Sequence, residues 1–184
     1  MENLKLFMLM LGCKPPGRHV EQHDVFFGIA PTLRDLIPQI EAFWPEPAKI
    51  HIDAWREVNT VDGYAVTITP RSETIEQSKK LFFINLGGYQ PNKFEEQHYV
   101  VLTVQNEFAS ASKNAKETHF FKHNYFAGAN SHIDDKYGVD VDDIYNVEDI
   151  LNADQKAAYQ IQLIPDASLP EDEINLGYFK LSNL

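Results

Sequence analysis

Histidines beside carboxylates are the residues of this chain that are best suited to chemistry, and they occur in two short motifs that each appear twice. Glu-Gln-His stands at 21–23 and again at 96–98, and His-Ile-Asp stands at 51–53 and again at 132–134. An imidazole next to a carboxylate can ligate a metal ion or act as an oriented general base. The candidate ligand- or metal-binding residues are therefore Glu21, Gln22, His23, His51, Asp53, Glu96, Gln97, His98, His132 and Asp134.

Alternation along a strand would place the His51 and Asp53 side chains on one face of a sheet, together with Trp55. His23 would complete a set of two histidines and one carboxylate, with Glu21 as a second carboxylate. A structural explanation is also open: His51 and Asp53 could simply hydrogen-bond on a polar face, and Glu-Gln-His could satisfy turn backbone groups. No particular cofactor is indicated by either interpretation.

The two copies of each motif belong to a longer internal similarity. Residues 5–23 and 80–98 share nine identities in nineteen ungapped positions, and the match resumes at 51–53 and 132–134. Similarity at this level predicts a tandem duplication. The second copy would carry six extra residues before its His-Ile-Asp motif, within 120–130.

Each copy has the hydrophobic pattern of a β-β-α-β(-β) unit. Apolar runs at 5–11 and 80–86 predict buried strands, followed by second strands at 25–29 and 100–104. A helix follows in the first copy, and Thr32 with Asp35 resembles a capping box. Pro38 lies inside the helical pattern, so the helix either kinks there or begins closer to Asp35. After Tyr145 the copies diverge, and 147–158, 159–164 and 176–181 predict a helix and two strands.

These elements predict an α+β fold with helices packed on one face of the sheets and a pseudo-two-fold arrangement of the copies. The predicted boundaries are 1–69 for the first unit, 70–79 for a linker, and 80–184 for the second unit with its C-terminal extension. Either unit alone would be small enough to be only marginally stable.

The composition limits the classes of partner and compartment. The formal net charge is −11, so the chain lacks the basic stripe that nucleic acids require, and anionic membranes would repel it. The single cysteine, Cys13, fits a reducing compartment, and we expect a cytoplasmic protein. A small-molecule ligand and a homodimer are both compatible with the sequence.

Several segments together resemble a known family. Lys5-Leu6-Phe7 with the Leu11-Gly12 pair, the 21–29 stretch, Ala-Phe-Trp-Pro at 42–45 and His-Ile-Asp-Ala-Trp at 51–55 are similar to a bacterial domain-of-unknown-function family, number fifteen-forty-three. The resemblance implies one or two copies of a short unit per chain. It implies no activity and no catalytic residues.

Two functional hypotheses follow from the sequence. The first is a non-enzymatic module whose polar sheet face or inter-copy groove binds a small ligand or a protein partner. The second is a metal- or histidine-dependent hydrolase that uses the Glu-Gln-His and His-x-Asp motifs. Convergence of His23, His51 and Asp53 within about 5 Å would favour the second hypothesis.

Overall fold

The computed structural model describes residues 3–44, 49–88, 92–115, 117 and 139–184, and for 139–142 the backbone alone. Contacts divide the chain into two compact units, Met1–Ile75 with Ile150–Leu184, and Glu76–Asp149. The described residues form ten strands in three antiparallel sheets and a few short helices. The predicted α+β fold class is therefore confirmed.

The main sheet of the first unit has four strands, in the order β10-β3-β1-β2. The central strand β1 carries Phe7, Leu9 and Leu11 at alternate positions, all buried against the helical segment at Leu36 and Ile40. This alternation is the reason that one face of the sheet becomes the core. The strands are β1 (Lys5–Cys13), β2 (Gln22–Ala30), β3 (His51–Glu57) and β10 (Asn175–Lys180).

The helical segment begins at the predicted capping box. The backbone N–H and the hydroxyl of Thr32 both donate to an Asp35 carboxylate oxygen, at 3.1 and 2.6 Å. A 3₁₀ turn at Leu33–Leu36 leads into α1 (Ile37–Phe43). Pro38 lies in the first turn of α1, where a missing N–H costs no helical hydrogen bond, so the helix starts there without a kink.

A second sheet of the first unit has the order β4-β5-β9, in which β9 is Tyr159–Pro165. Strands β4 (Thr60–Val61) and β5 (Tyr64–Pro70) form a hairpin whose two turn residues, Asp62 and Gly63, have φ of 51° and 76°. Positive φ at both positions is the geometry of a type I′ turn, which favours Asp-Gly. The turn therefore accounts for Asp62, which is exposed.

Residues 150–184 complete the first unit. Strand β9 (Tyr159–Pro165) pairs with β5 along its whole length, and β10 pairs with the outer edge of β3. The predicted boundaries place this segment with the second copy in sequence, whereas its strands pair in the first unit. The physical reason is that β3 and β5 each offer a free hydrogen-bonding edge to a further strand. Ile161 and Leu163 of β9 become buried when β9 pairs with β5.

The acidic loop near 170–173 also binds to the first unit. A carboxylate of Asp172 accepts hydrogen bonds from the backbone N–H groups of Asn59 and Thr60, at 3.1 and 3.2 Å. Burial raises the pKa of Asp172, while those bonds and the nearby Arg56 oppose the rise. The loop thus holds the connection between β3 and β4 in place through these hydrogen bonds.

The second unit repeats the arrangement of the first three strands. Its sheet has the order β7-β6-β8, and Phe82, Ile84 and Leu86 of β6 pack against Ala111 and Ala115 of a helix. The elements are β6 (Lys80–Gly88), β7 (Gln97–Gln105), α2 (Phe108–Ala115) and β8 (Val139–Asn146), followed by α3 (Val147–Ile150). The next helix, α4 (Ala153–Ala158), belongs to the first unit. No helix in the described ranges is long and apolar enough to cross a membrane.

Candidate functional site

Gly12, near the end of β1, is the centre of the candidate site. His23 of β2 lies opposite Gly12 on one side, and His51 of β3 lies opposite Gly12 on the other. Residues that are directly opposite on antiparallel strands place their side chains on the same face. The two histidines therefore flank a position that has no side chain.

A β-bulge brings Asp53 to the same place. The β1–β3 register shifts between Met10 and Leu11, so that Leu11 faces Ile52, Met10 faces Ala54, and Asp53 is the extra residue. The bulge also corrects the predicted alternation, because it turns Trp55 away from His51 and toward the core, where its ring lies 6.4 Å from that of Phe7.

The four polar side chains converge as an alternating ring of imidazoles and carboxylates. The Nε2 atom of His51 lies 3.2 Å from Asp53 Oδ1 and 3.4 Å from Glu21 Oε1. The Nε2 atom of His23 lies 3.2 Å from Asp53 Oδ2 and 3.7 Å from Glu21 Oε2. The trio of His23, His51 and Asp53 thus meets the distance criterion that the sequence hypothesis set.

Two atoms of this ring are buried without a hydrogen bond among the described residues: Nε2 of His51 and Oδ2 of Asp53. Their neighbours are within 3.2–3.4 Å but do not have hydrogen-bonding angles. A buried polar atom without a partner is costly, and such atoms commonly mark the place of an ion, a water or a reacting group. The His51 side chain is only 4% exposed, whereas those of His23, Glu21 and Asp53 are 47%, 40% and 30% exposed.

The ring is not yet a closed coordination sphere. Among the residues that the structure describes, no group of three or more His, Cys, Asp and Glu side chains is arranged to hold a metal ion as it stands. The distances give the reason, because the two imidazoles approach different oxygens of each carboxylate.

Gln22 and Gln97 do not belong to the cluster. Each is the first residue of its strand, and alternation turns its side chain to the face opposite that of the following histidine. Their recurrence in both motifs is explained by their place in the strands, where Gln22 pairs with Cys13 and Gln97 with Gly88.

The second unit keeps half of this arrangement. His98 lies opposite Gly87, and its Nε2 atom is 3.8 Å from Glu96 Oε2, close to the separation in the His23–Glu21 pair. His132 and Asp134 lie outside the described residues. The strand that pairs with β6 as β3 pairs with β1 is β8, with a register shift at the same place, and Asp140 is the residue opposite Gly87. By register, therefore, 140–142 corresponds to 51–53, which differs from the sequence alignment of 132–134 with 51–53.

Two site residues were missed by sequence reasoning. A Cβ on Gly12 would lie 2.6 Å from Asp53 Oδ2 and closer still to His51 Nε2, so glycine is needed for the donors to occupy this space. Tyr178 of β10 covers His51, with ring centroids 4.2 Å apart and planes inclined by 33°. The sequence contained a clue to Gly12, because this glycine recurs as Gly87. It contained no clue that Tyr178 lies near His51, because the pairing of their strands is long-range.

The comparisons with known proteins support a family and a fold. A family model described as Domain of Unknown Function (DUF1543) matches residues 18–68, a range that contains Glu21, His23, His51 and Asp53. The resemblance seen in the sequence is confirmed for this range. The crystal structure of protein Il1583 from Idiomarina loihiensis is similar with a TM-score of 0.66 and 22% identity, over 97% of each chain. At this identity the likeness shows the fold alone, and no match was found among curated proteins.

Proposed function

We propose that the first unit binds a divalent transition-metal ion through His23, His51, Asp53 and Glu21. The observation that carries the proposal is the pair of buried, unbonded atoms, His51 Nε2 and Asp53 Oδ2, within this ring of donors. A bound cation would accept lone pairs from both atoms at once.

The separations of the donor atoms support this proposal. Ligand bonds of 2.0–2.2 Å in a tetrahedral site place donor atoms about 3.3–3.6 Å apart. Nε2 of His51 lies 3.2 and 3.4 Å from Asp53 Oδ1 and Glu21 Oε1, and Nε2 of His23 lies 3.2 and 3.7 Å from the other oxygen of each carboxylate. Two imidazoles with two carboxylates form a mixed nitrogen and oxygen set, which suits zinc, cobalt, nickel or iron better than calcium or magnesium.

Binding of a larger organic ligand is supported less well. A shallow pocket of about 370 Å³ in the first unit is lined by Arg34, Ile37, Glu41, Leu181, Ser182 and Leu184. None of the candidate site residues lines this pocket. The ring is instead a polar group of side chains, and its two carboxylates attract a cation.

Zinc titration of purified protein by calorimetry tests the proposal. We expect His23→Ala to weaken zinc binding by about 100-fold or more, since even the partners of metal ligands contribute about 10- to 100-fold. His19→Ala is the matched control, because His19 is exposed and precedes β2. Equal zinc affinity in the wild type, His23→Ala and His19→Ala would show that the ring is not a zinc site.

A metal-dependent hydrolase is the second candidate, and the exposure of three donors favours it. His23, Glu21 and Asp53 leave one side of the ring open to solvent, so a bound zinc could keep a water ligand and lower its pKa. The zinc-loaded chain should then hydrolyse an activated ester such as p-nitrophenyl acetate. A rate that is the same in zinc-loaded wild type and in His51→Ala would remove this candidate.

A tandem duplication remains part of the proposal for the whole chain. It is supported by the shared sequence identities, by the equal strand orders β2-β1-β3 and β7-β6-β8, and by the register shift at the same place in both sheets. Under this proposal the second unit has kept Glu96, His98 and Gly87 of the original site.

A further inference from the structure

We infer that Tyr178 is the positioning residue of the proposed metal site and holds the His51 imidazole in its coordinating orientation. The inference rests on the proposed function and adds a residue from a strand outside the matched family range.

The His51 ring is restrained on two sides. Its Nε2 edge lies against the backbone of Gly12, where a Cβ would collide with it. Its face lies against the ring of Tyr178, at 4.2 Å between centroids. Tilted contacts at this distance are attractive, and the aromatic side chain excludes water from that face.

Tyr178 itself faces the site because of the local geometry of β10. A Cβ on Gly177 would lie 3.1 Å from the Phe179 ring, so Gly177 and Phe179 share the core face, and Phe179 packs into the core. Leu176 and Tyr178 consequently point to the opposite face, where His51 lies. Tyr178 remains 63% exposed and Leu176 76% exposed, so a role in the hydrophobic core does not explain Tyr178.

A ligand that is held by its neighbours loses less conformational freedom on binding metal, and residues that orient a metal ligand typically contribute about 10- to 100-fold in affinity. We expect Tyr178→Ala to weaken zinc binding about tenfold and to change the visible absorption spectrum of the cobalt-substituted protein. Tyr178→Phe keeps the ring and should restore both properties. Leu176→Ala, on the same face of the same strand, should behave as the wild type.

A second measurement does not depend on metal. In the metal-free wild type, His51 should react slowly with diethyl pyrocarbonate, because its side chain is 4% exposed. Tyr178→Ala should make His51 react several-fold faster, as identified by peptide mass spectrometry. If Tyr178→Ala leaves both the reactivity of His51 and the zinc affinity unchanged, the inference is wrong. If the wild type binds no zinc, the proposed function fails, while the reactivity of His51 still decides whether Tyr178 positions it.

Discussion

Replacing Gly12 with alanine is expected to abolish zinc binding by the first unit while leaving the chain folded. The added methyl group would lie within 3 Å of His51 Nε2, His51 Cε1 and Asp53 Oδ2, closer than real Cβ contacts allow. Two of these atoms are the buried donors, so both must move. Displacement of two ligands should reduce zinc affinity by more than the roughly 100-fold expected from loss of one.

Gly28→Ala is the matched control for this experiment. Its Cβ would crowd the ends of Leu36 and Phe26, at 2.7 and 2.8 Å, which lie in the core of the same unit. We expect a lower melting temperature with unchanged zinc affinity. Calorimetric titration and thermal unfolding of both variants therefore separate a damaged site from a damaged core. Wild-type zinc affinity in Gly12→Ala would contradict the proposed geometry.

Gln155→Ala is expected to cause a large loss of stability in the first unit. The buried Gln155 amide accepts a hydrogen bond from the Ile29 N–H at 3.0 Å and donates a short one to the Ile29 carbonyl. Strand β2 is at the edge of its sheet, so the amide of Gln155, in α4, takes the place of a neighbouring strand. Truncation leaves two buried backbone groups unpaired, at about 1–3 kcal/mol each in free energy of unfolding.

Gln160→Ala is the comparison that separates the effect of burial from the loss of the hydrogen bonds themselves. The Gln160 amide also bonds backbone, donating to the carbonyls of Pro70 and Glu73 at 3.0 and 2.7 Å, but at a position that solvent can reach. Water can replace those bonds, so the loss should stay near 1 kcal/mol or below. Urea denaturation of both variants measures the difference. If Gln160→Ala proves as damaging as Gln155→Ala, the burial argument is wrong.

Local patterns in the sequence predicted most of the elements. The apolar runs placed β1 and β6, the apolar segments after them placed β2 and β7, alternation placed β3, and the Thr32–Asp35 pair placed the start of the helical segment. These features depend on short-range periodicity and capping, which a single chain displays directly. The sequence also named His23, His51 and Asp53 as candidates, but whether they converge was left open, since it depends on β2 and β3 pairing with the two sides of β1.

Features that depend on long-range pairing were not predicted. The bulge at Asp53 is set by how β3 meets β1, and it reversed the expected face of Trp55. The pairing of β9 with β5 and of β10 with β3 joins residues about a hundred positions apart. Hydrophobic alternation shows which face of a strand is buried, but it does not show which distant strand is its partner. Tyr178 was missed for this reason, and so was the correspondence of 140–142 with 51–53.

The two strands that complete the first unit also determine when that unit can form during synthesis. On the ribosome, β3 and β5 emerge early, but their partners β10 and β9 are translated only after the whole of residues 76–149. Until then the nascent first unit exposes two strand edges and lacks Gln155, while the continuous second unit can already fold. We therefore expect protection of the nascent chain from proteases to appear in the second unit first.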